Sequence, residues 1–450
     1  MKKIFFAALL FSFFTFHFSL HAQDTLFLNL EQCCQRALEC SQDLQRSNNV
    51  QQQAELTRKS MFTNFFPQVE GSATVMYIKD QQLLDGQMGS LDMLMRGAYM
   101  CGFTLQQPLF AGGKIVNGHR LTKVGVEVSK EQQRQQRAQT LADVESAYWT
   151  YVAVLSKERL LEEYCRNLDT LLSQVEGSVT AGMATDYDLL QVSSARSNLA
   201  YQRLRTEGGI TLCRLSLSRL VGISSDDTIL LPDPHIPTAQ PTSLSSDFSS
   251  RPELRLLQLA VDAADLQVKM KRADFLPTLG IGIGYNWVGN IALKGGLTLS
   301  QLGAIPINPP VEIPIDKTFD IHTPMLAISL SVPITKWWQG SYEIRKAKLE
   351  AQNSRLEQEK NRDLLRLEVQ QAIQNVTAAY ALIEASQKSL AAAEEQLRVA
   401  QNRYNVNMLP LSDLLDAQAK RKQAESDCIE ARTQYFIYLA DYRRVTSTNE

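Results

Sequence analysis

Apolar positions recur along this chain with two different periods, and the change of period divides it into elements. Val369, Val376, Ile383, Leu390 and Leu397 stand seven residues apart, with Ile373 and Tyr380 filling the alternate positions. This heptad pattern predicts a helix with one coiled-coil face. Val144, Tyr148, Tyr151 and Leu155 keep the same register 225 residues before their counterparts. Elsewhere the period is two. Val69, Gly71, Ala73, Val75 and Tyr77 alternate with Glu70, Ser72 and Thr74, and Leu279, Ile281, Ile283, Tyr285 and Trp287 alternate with Gly280, Gly282, Gly284 and Asn286. Cys101–Gln107 and Leu326–Val332 are the partner segments. Strict alternation predicts strands with one apolar face, and about nine residues is also the length of a membrane-spanning strand.

The two halves therefore repeat one plan, and prolines mark its joints. Pro67 and Pro277 precede the first strand of each copy, and Pro108 and Pro333 follow the second. No proline falls between Leu109 and Leu231 or between Ile334 and Leu409. Proline inside a helix costs about 3 kcal/mol, so these stretches, rich in Ala, Leu, Gln, Glu, Lys and Arg, read as long helices. Lys114–Ala181 would extend about 100 Å. Each long helix meets a turn, Gly182-Met183-Ala184-Thr185 or Asn407-Met408-Leu409-Pro410, and a second helix returns over about Asp186–Val221 or Pro410–Val445. The strands are expected to be joined by long polar loops, Lys79–Arg96 and Gly289–Asp320, and the offset between the copies rises from 210 before the hairpin to 225 after it, an insertion of 15 residues in the second.

The resulting organisation is a signal peptide over 1–22, a first repeat over 23–222 with a β-hairpin at 68–107, a linker over 223–251, and a second repeat over 252–450 with a β-hairpin at 278–332. The signal has Lys2 and Lys3, an apolar run Ile4–Phe18 and a small residue at Ala22. The linker is punctuated by Asp226, Asp227, Pro232, Pro234, Pro237 and Pro241. Beyond residue 22 no apolar run is long enough for a transmembrane helix, so any membrane crossing is by strands. Four strands cannot close a barrel, and open edges in lipid leave backbone groups unpaired. Several chains must then pool them: two would give eight strands and three would give twelve.

Net charge is −2, which offers nothing to nucleic acid. Seven cysteines lack metal or redox spacing and read as scattered small apolar residues. The glycines of Gly280-x-Gly282-x-Gly284 sit at period two inside a strand, which suits the narrow face of a barrel better than a dinucleotide loop. Gly112-Gly113-Lys114 lacks the rest of a phosphate loop. After the signal only His119, His235 and His322 remain, with no hydrolytic or metal motif, so no catalytic residue, cofactor or metal is expected. Phe62, Phe65, Phe66, Phe110, Trp337 and Trp338 cluster where strands meet helices, as a membrane-interface girdle would; ordinary packing at a crowded joint is the alternative. Asp413 and Asp416 share one face near a helix start. They could complement the helix dipole or, in a symmetric oligomer, form a cation-selecting ring.

Taken together, Leu28-Asn29-Leu30-Glu31-Gln32 with Ala37-Leu38, the junctions Pro108-Leu109-Phe110-Ala111-Gly112-Gly113 and Pro333-Ile334, and Tyr404-Asn405-Val406 leading to Asp413-Leu414-Leu415-Asp416-Ala417-Gln418 resemble the TolC-like outer-membrane efflux proteins. The resemblance spans nearly the whole mature chain. It implies a mixed, mainly α fold: long antiparallel coiled-coil hairpins forming a trimeric α-barrel, continued by a shared twelve-stranded β-barrel in the outer membrane with four strands from each chain. It implies a passive exit duct with no enzymatic activity and a large periplasmic portion. Its partners would be the homotrimer, a periplasmic adaptor, an inner-membrane efflux or secretion pump and outer-membrane lipid. At the periplasmic gate the resemblance places Asp413, Asp416 and Tyr404, with Asp188 as a partner acid. Leu409 stands where some members carry a gate arginine, so that salt bridge is not expected. A periplasmic coiled-coil adaptor without a membrane barrel is the alternative, although the compact β-rich domain it needs is not evident.

Overall fold

The computed structural model describes residues 25–86, 89–223, 228–232, 235–240, 243–302, 305–334 and 338–447. The expected signal segment lies outside them, as do Trp337 and parts of the linker. The chain runs β1 (Thr25–Phe27), α1 (Leu30–Cys40), α2 (Gln42–Thr63), β2 (Gln68–Gly86), β3 (Gly89–Ala111), α3 (Lys114–Thr180), α4 (Asp186–Val221), β4 (Thr228–Leu230), α5 (Pro252–Ala273), β5 (Thr278–Leu302), β6 (Ile305–Ser331), α6 (Gln339–Asn405) and α7 (Leu411–Thr446). Corresponding helices match in length: α2 and α5 have 22 residues, α3 and α6 have 67, and α4 and α7 have 36.

The turns that end the long helices follow one recipe. Gly182 and Asn407 both adopt positive φ, at 71° and 60°. Met183 N donates to Ser178 O at 2.8 Å, and Met408 N donates to Arg403 O at 2.8 Å. These left-handed stops use up carbonyls that the helix end leaves without partners.

Two compact units draw on both halves of the chain. One comprises Met1–Asn49, Glu131–Arg255 and Lys360–Glu450; the other comprises Val50–Lys130 and Leu256–Glu359. In the first unit the heptad faces make the cores. Val144, Tyr148, Tyr151 and Val152 pack with Leu217, Ile229 and Cys33. Val376, Ile383, Tyr435 and Leu439 form another cluster, with Ile373 and Tyr380 against it. Burying one such aliphatic side chain stabilises by about 1.5–3 kcal/mol. The short strands β1 and β4 pair in parallel over the first core, and the Tyr151 hydroxyl donates to Ile229 O at 3.3 Å.

Arg251, only 2% exposed, anchors a charge network in the same unit. It bonds Glu253 at 3.1 Å and Glu368 at 2.8 Å, and Glu368 also meets Arg444 at 3.0 Å. A buried guanidinium is tolerated because both carboxylates compensate it.

The second unit holds one antiparallel sheet in the order β2-β3-β5-β6. Here the structure corrects the sequence reading. Lys79–Arg96 and Gly289–Asp320 are not loops; the strands run through both. Alternation continues there, but bulges shift its phase, so period-two counting loses the track. Pro306, Pro309, Pro310, Pro314 and Pro324 all fall on β6. That strand pairs with β5 alone among the described residues, and an edge strand tolerates the missing N–H. Pro108 also lies inside a strand, paired with Gly280, rather than at the strand end. It sits beyond the ladder with β2, which starts at Gln68↔Gln106, so no donor is missed on that side.

Candidate channel wall and helix-tip site

Register lines up the sheet into two unlike faces, because directly paired residues share a side. Val69, Leu105, Ile283 and Leu326 form one row across all four strands. The adjoining row on the other face is Gln68, Gln106, Gly282 and Ala327. The apolar face is uncovered: Val75 is 74% exposed and Ile328 71%. The polar face lines a cavity of about 640 Å³, to which Met61, Asn64 and Lys114 of the flanking helix ends contribute. The sheet therefore has a small, polar, cavity-lining side and an apolar, exposed side. At Gly102 on the polar side no larger residue fits, since a Cβ would lie 2.6 Å from Tyr285 O.

At the joint between helices and strands, Phe62 packs on Phe65 and Phe66, with ring centroids 5.7 and 5.4 Å apart, and His119 lies 5.6 Å from Phe62. Phe110 is exposed on β3 and Trp338 is exposed just before α6. Pro67 and Pro277 stand immediately before β2 and β5, and Pro333 just after β6. Sequence reading missed a second aromatic group on the apolar face, Phe103, Tyr285 and Trp287, with Tyr285 and Trp287 4.7 Å apart. Two of its members sit at alternate positions of one strand, but its third comes from a neighbour that only register identifies.

The helix tips are built in the other unit. Leu160, Tyr164, Leu171, Val192, Leu411 and Leu414 form their core, and Tyr404, Leu189 and Leu409 pack against it. Asp188 lies at the third position of α4, where it closes a capping box. Its carboxylate accepts from Thr185 N at 3.0 Å and Thr185 Oγ1 at 2.7 Å, and Asp188 N donates back to Thr185 Oγ1 at 3.3 Å. Tyr404 is half-buried. Burial, and then the charge of Asp188, push its phenol above the ordinary range. The structure thus brings Tyr404 into electrostatic reach of Asp188. Asp413 and Asp416 are both exposed on α7. Asp413 accepts from Ser412 Oγ at 3.3 Å, and Asp416 pairs with Lys420 at 2.7 Å.

Among the described residues no cluster of His, Cys, Asp and Glu could hold a metal ion, and no helix is long and apolar enough to cross a membrane. All seven cysteines are unpaired. Burial pushes the Cys33 thiol up to about 11 and that of Cys34 up to about 12, the opposite of an activated thiolate.

Comparison with known proteins agrees with this architecture. The model of the family described as outer membrane efflux protein matches residues 33–222 and 244–445. The chain is 22% identical over 348 residues to the outer membrane efflux protein BepC of Brucella suis biovar 1 (strain 1330), covering 77% of this chain and 71% of that one. Its fold is similar to the crystal structure of CusC, with a TM-score of 0.74, 17% identity and 95% of each chain covered. It is also similar to the Campylobacter jejuni CmeC outer membrane channel, with a TM-score of 0.73, 15% identity, and 93% of this chain and 85% of that one covered. The chain belongs to the outer membrane efflux protein family, and is a TolC-like outer-membrane channel with a large periplasmic portion.

Proposed function

We propose that this protein is the passive exit duct of a tripartite efflux or secretion system, assembled from three copies that pool their strands into one twelve-stranded barrel. The observation that carries this reading is the sheet itself. Its β2 and β6 edges pair with no strand of this chain among the described residues, and one face is apolar and uncovered. Open edges cannot persist in lipid, whereas closure with neighbouring copies satisfies them. The α4 helix supports the same assembly. Tyr187, Leu190, Tyr201 and Leu204 lie on one heptad face and are each about two-thirds exposed, as a helix awaiting a neighbour would be. A periplasmic adaptor and an inner-membrane pump complete the system and supply the energy; a duct with no catalytic constellation supplies none.

In this reading Asp413, Asp416, Tyr404 and Asp188 surround the periplasmic constriction, with packing of Tyr404 and Leu409 in place of an arginine lock. The aromatics Phe65, Phe66, Phe110 and Trp338 sit at the periplasmic interface of the outer membrane, beside Pro67, Pro277 and Pro333 at the joints and Pro108 inside β3. The two sequence repeats, 23–222 and 252–450, are the quasi-equivalent halves of each subunit. Purified protein added to planar lipid bilayers is expected to give discrete conductance steps. Protein that stays in the aqueous phase and never conducts would instead favour the periplasmic adaptor.

A further inference from the structure

We infer that the outward mouth of this channel is an apolar constriction, made by a line of β-bulges that turns the apolar face of the sheet from the outside of the barrel to its inside. This inference rests on the barrel reading above. The bulges lie at one level. Register shifts fall between Met76 and Tyr77 on β2, between Leu94 and Tyr99 on β3, and between Val288 and Ile291 on β5. Gly97 and Asn290 adopt positive φ there, at 75° and 61°. Side-chain bonds pin the line in place: Asn290 Nδ2 donates to Gly97 O at 3.0 Å, and Asp320 Oδ1 accepts from Asn290 N at 3.3 Å and from the Tyr99 hydroxyl at 3.4 Å.

A shift of one residue sends every later side chain to the other face. Strand β6, regular from Val311 to Ser331, records the change. Between the helix joint and the bulge line its most exposed aliphatic residues are even-numbered, Leu326, Ile328 and Leu330, while Ile321, Met325 and Ala327 stand on the other side. Beyond the line its aliphatic and aromatic residues are odd-numbered: Val311, Ile313, Ile315 and Phe319. On β5, Leu297 and Leu299 pair with Ile313 and Val311, and Leu293 lies on the same side opposite Lys317. The charged row Asp92, Lys294 and Asp316 now occupies the other side, with Lys294 and Asp316 3.8 Å apart.

The cavity-lining side below the line carries Gln68, Gln106 and Gly282 and, with the apolar side against lipid, forms a polar barrel interior there. Above the line the same interior side is mainly aliphatic, with Lys317 its one charged member on β6, and the exterior is charged and suits water. From the joint to the line each strand has about nine residues, enough to cross the bilayer. The collar therefore stands beyond the membrane on the hairpin side. Repeated from each copy around the axis, the aliphatic side chains face one another across the lumen. An apolar ring of this kind dewets, opposing hydrated ions while receiving solutes with an apolar body. The class favoured for passage is amphipathic or apolar organic molecules.

The test is block of single-channel current by n-alkyltrimethylammonium ions of increasing chain length. The bulky helical portion stays in the chamber to which protein is added, so the hairpin ends face the opposite chamber. Blocker added on the hairpin side is expected to gain about two- to fourfold in affinity per added methylene. Leu293→Ser with Ile313→Ser and Ile315→Ser should flatten that dependence, while Lys294→Ser should not. Chain-length independence in the wild type, or an unchanged slope in the triple variant, overturns the collar. Should the triple variant fail to insert, single cysteines labelled with a membrane-impermeant maleimide on intact cells decide the matter. Lys294→Cys should react at least ~10-fold faster than Leu293→Cys, as exposure controls thiol access, and the reverse order overturns the inversion. A wild type that never conducts sinks the duct reading and leaves the order of the faces to the labelling experiment.

Discussion

Asp188 and Asp413 occupy the same position in the two copies of the fold, 225 residues apart, yet only Asp188 is used up as a cap. In the first copy Thr185 supplies an amide and a hydroxyl to the Asp188 carboxylate. In the second copy the cap residue is Pro410, which has no N–H and makes no side-chain cap bond. Asp413 is left exposed, with the Ser412 hydroxyl as its partner. One acid stabilises a helix start; its counterpart remains available for charge chemistry.

Thr185→Ala is therefore expected to destabilise the start of α4 by about 1 kcal/mol, the usual value of an N-cap. Hydrogen exchange of the amides that follow should accelerate about fivefold. Asp413→Ala should leave exchange at the start of α7 nearly unchanged. Equal effects at the two sites would contradict the assignment.

Exchanging charge at the tips tests the proposed constriction. Asp413→Asn combined with Asp416→Asn is expected to weaken cation preference and divalent block by about tenfold. Asp416 is already paired with Lys420, although an exposed pair contributes only about 0–1 kcal/mol. Asp413→Asn alone should then account for the larger share. Unaltered selectivity in the double variant would remove both residues from the pore.

The Arg251 network makes a prediction about acid stability. Burial alone would raise the Glu368 carboxyl, but the hydrogen bonds and charges of Arg251 and Arg444 outweigh it and hold it below the ordinary range. A depressed carboxylate contributes stability that is complete above the unfolded-state value near 4.5 and is lost as pH falls through the lower folded value. Glu368→Gln is expected to cost about 1–3 kcal/mol at neutral pH and to flatten the acid limb of thermal unfolding below that value. Arg251 would keep Glu253 as its remaining carboxylate. An acid limb identical in wild type and variant would show that Glu368 does not carry it.

Gly222 ends α4 with φ of 71°, and a Cβ there would lie 2.5 Å from Cys40 Cβ. Gly222→Ala combines left-handed strain with a clash between two packed elements. A loss of about 2–3 kcal/mol is expected in denaturant unfolding. Cys40→Gly in the same chain should recover part of it by removing the clash. No recovery would mean that the backbone conformation alone sets the cost.

Much of this fold is legible in the sequence because the long helices keep one period without interruption. The heptad positions Val369, Val376 and Ile383 are the buried ones, and the turns at Gly182 and Asn407 stop the helices where expected. The upper sheet was illegible for a physical reason. Bulges at Gly97 and Asn290 shift the alternation, and the prolines of β6 mimic a loop because an edge strand tolerates them. The cluster of Phe103, Tyr285 and Trp287 needs the β3–β5 register, which no single strand contains. The equivalence of Asp188 and Asp413 was available: the repeat offset that aligns Val144 with Val369 also aligns these two acids.

The most direct measurement is the native mass of protein extracted by detergent from outer-membrane fractions. Particles of three chains are expected, since three sets of four strands close the barrel and cover the open edges of β2 and β6. A stable monomer, or a water-soluble species that needs no detergent, would contradict the pooled barrel and the duct built on it.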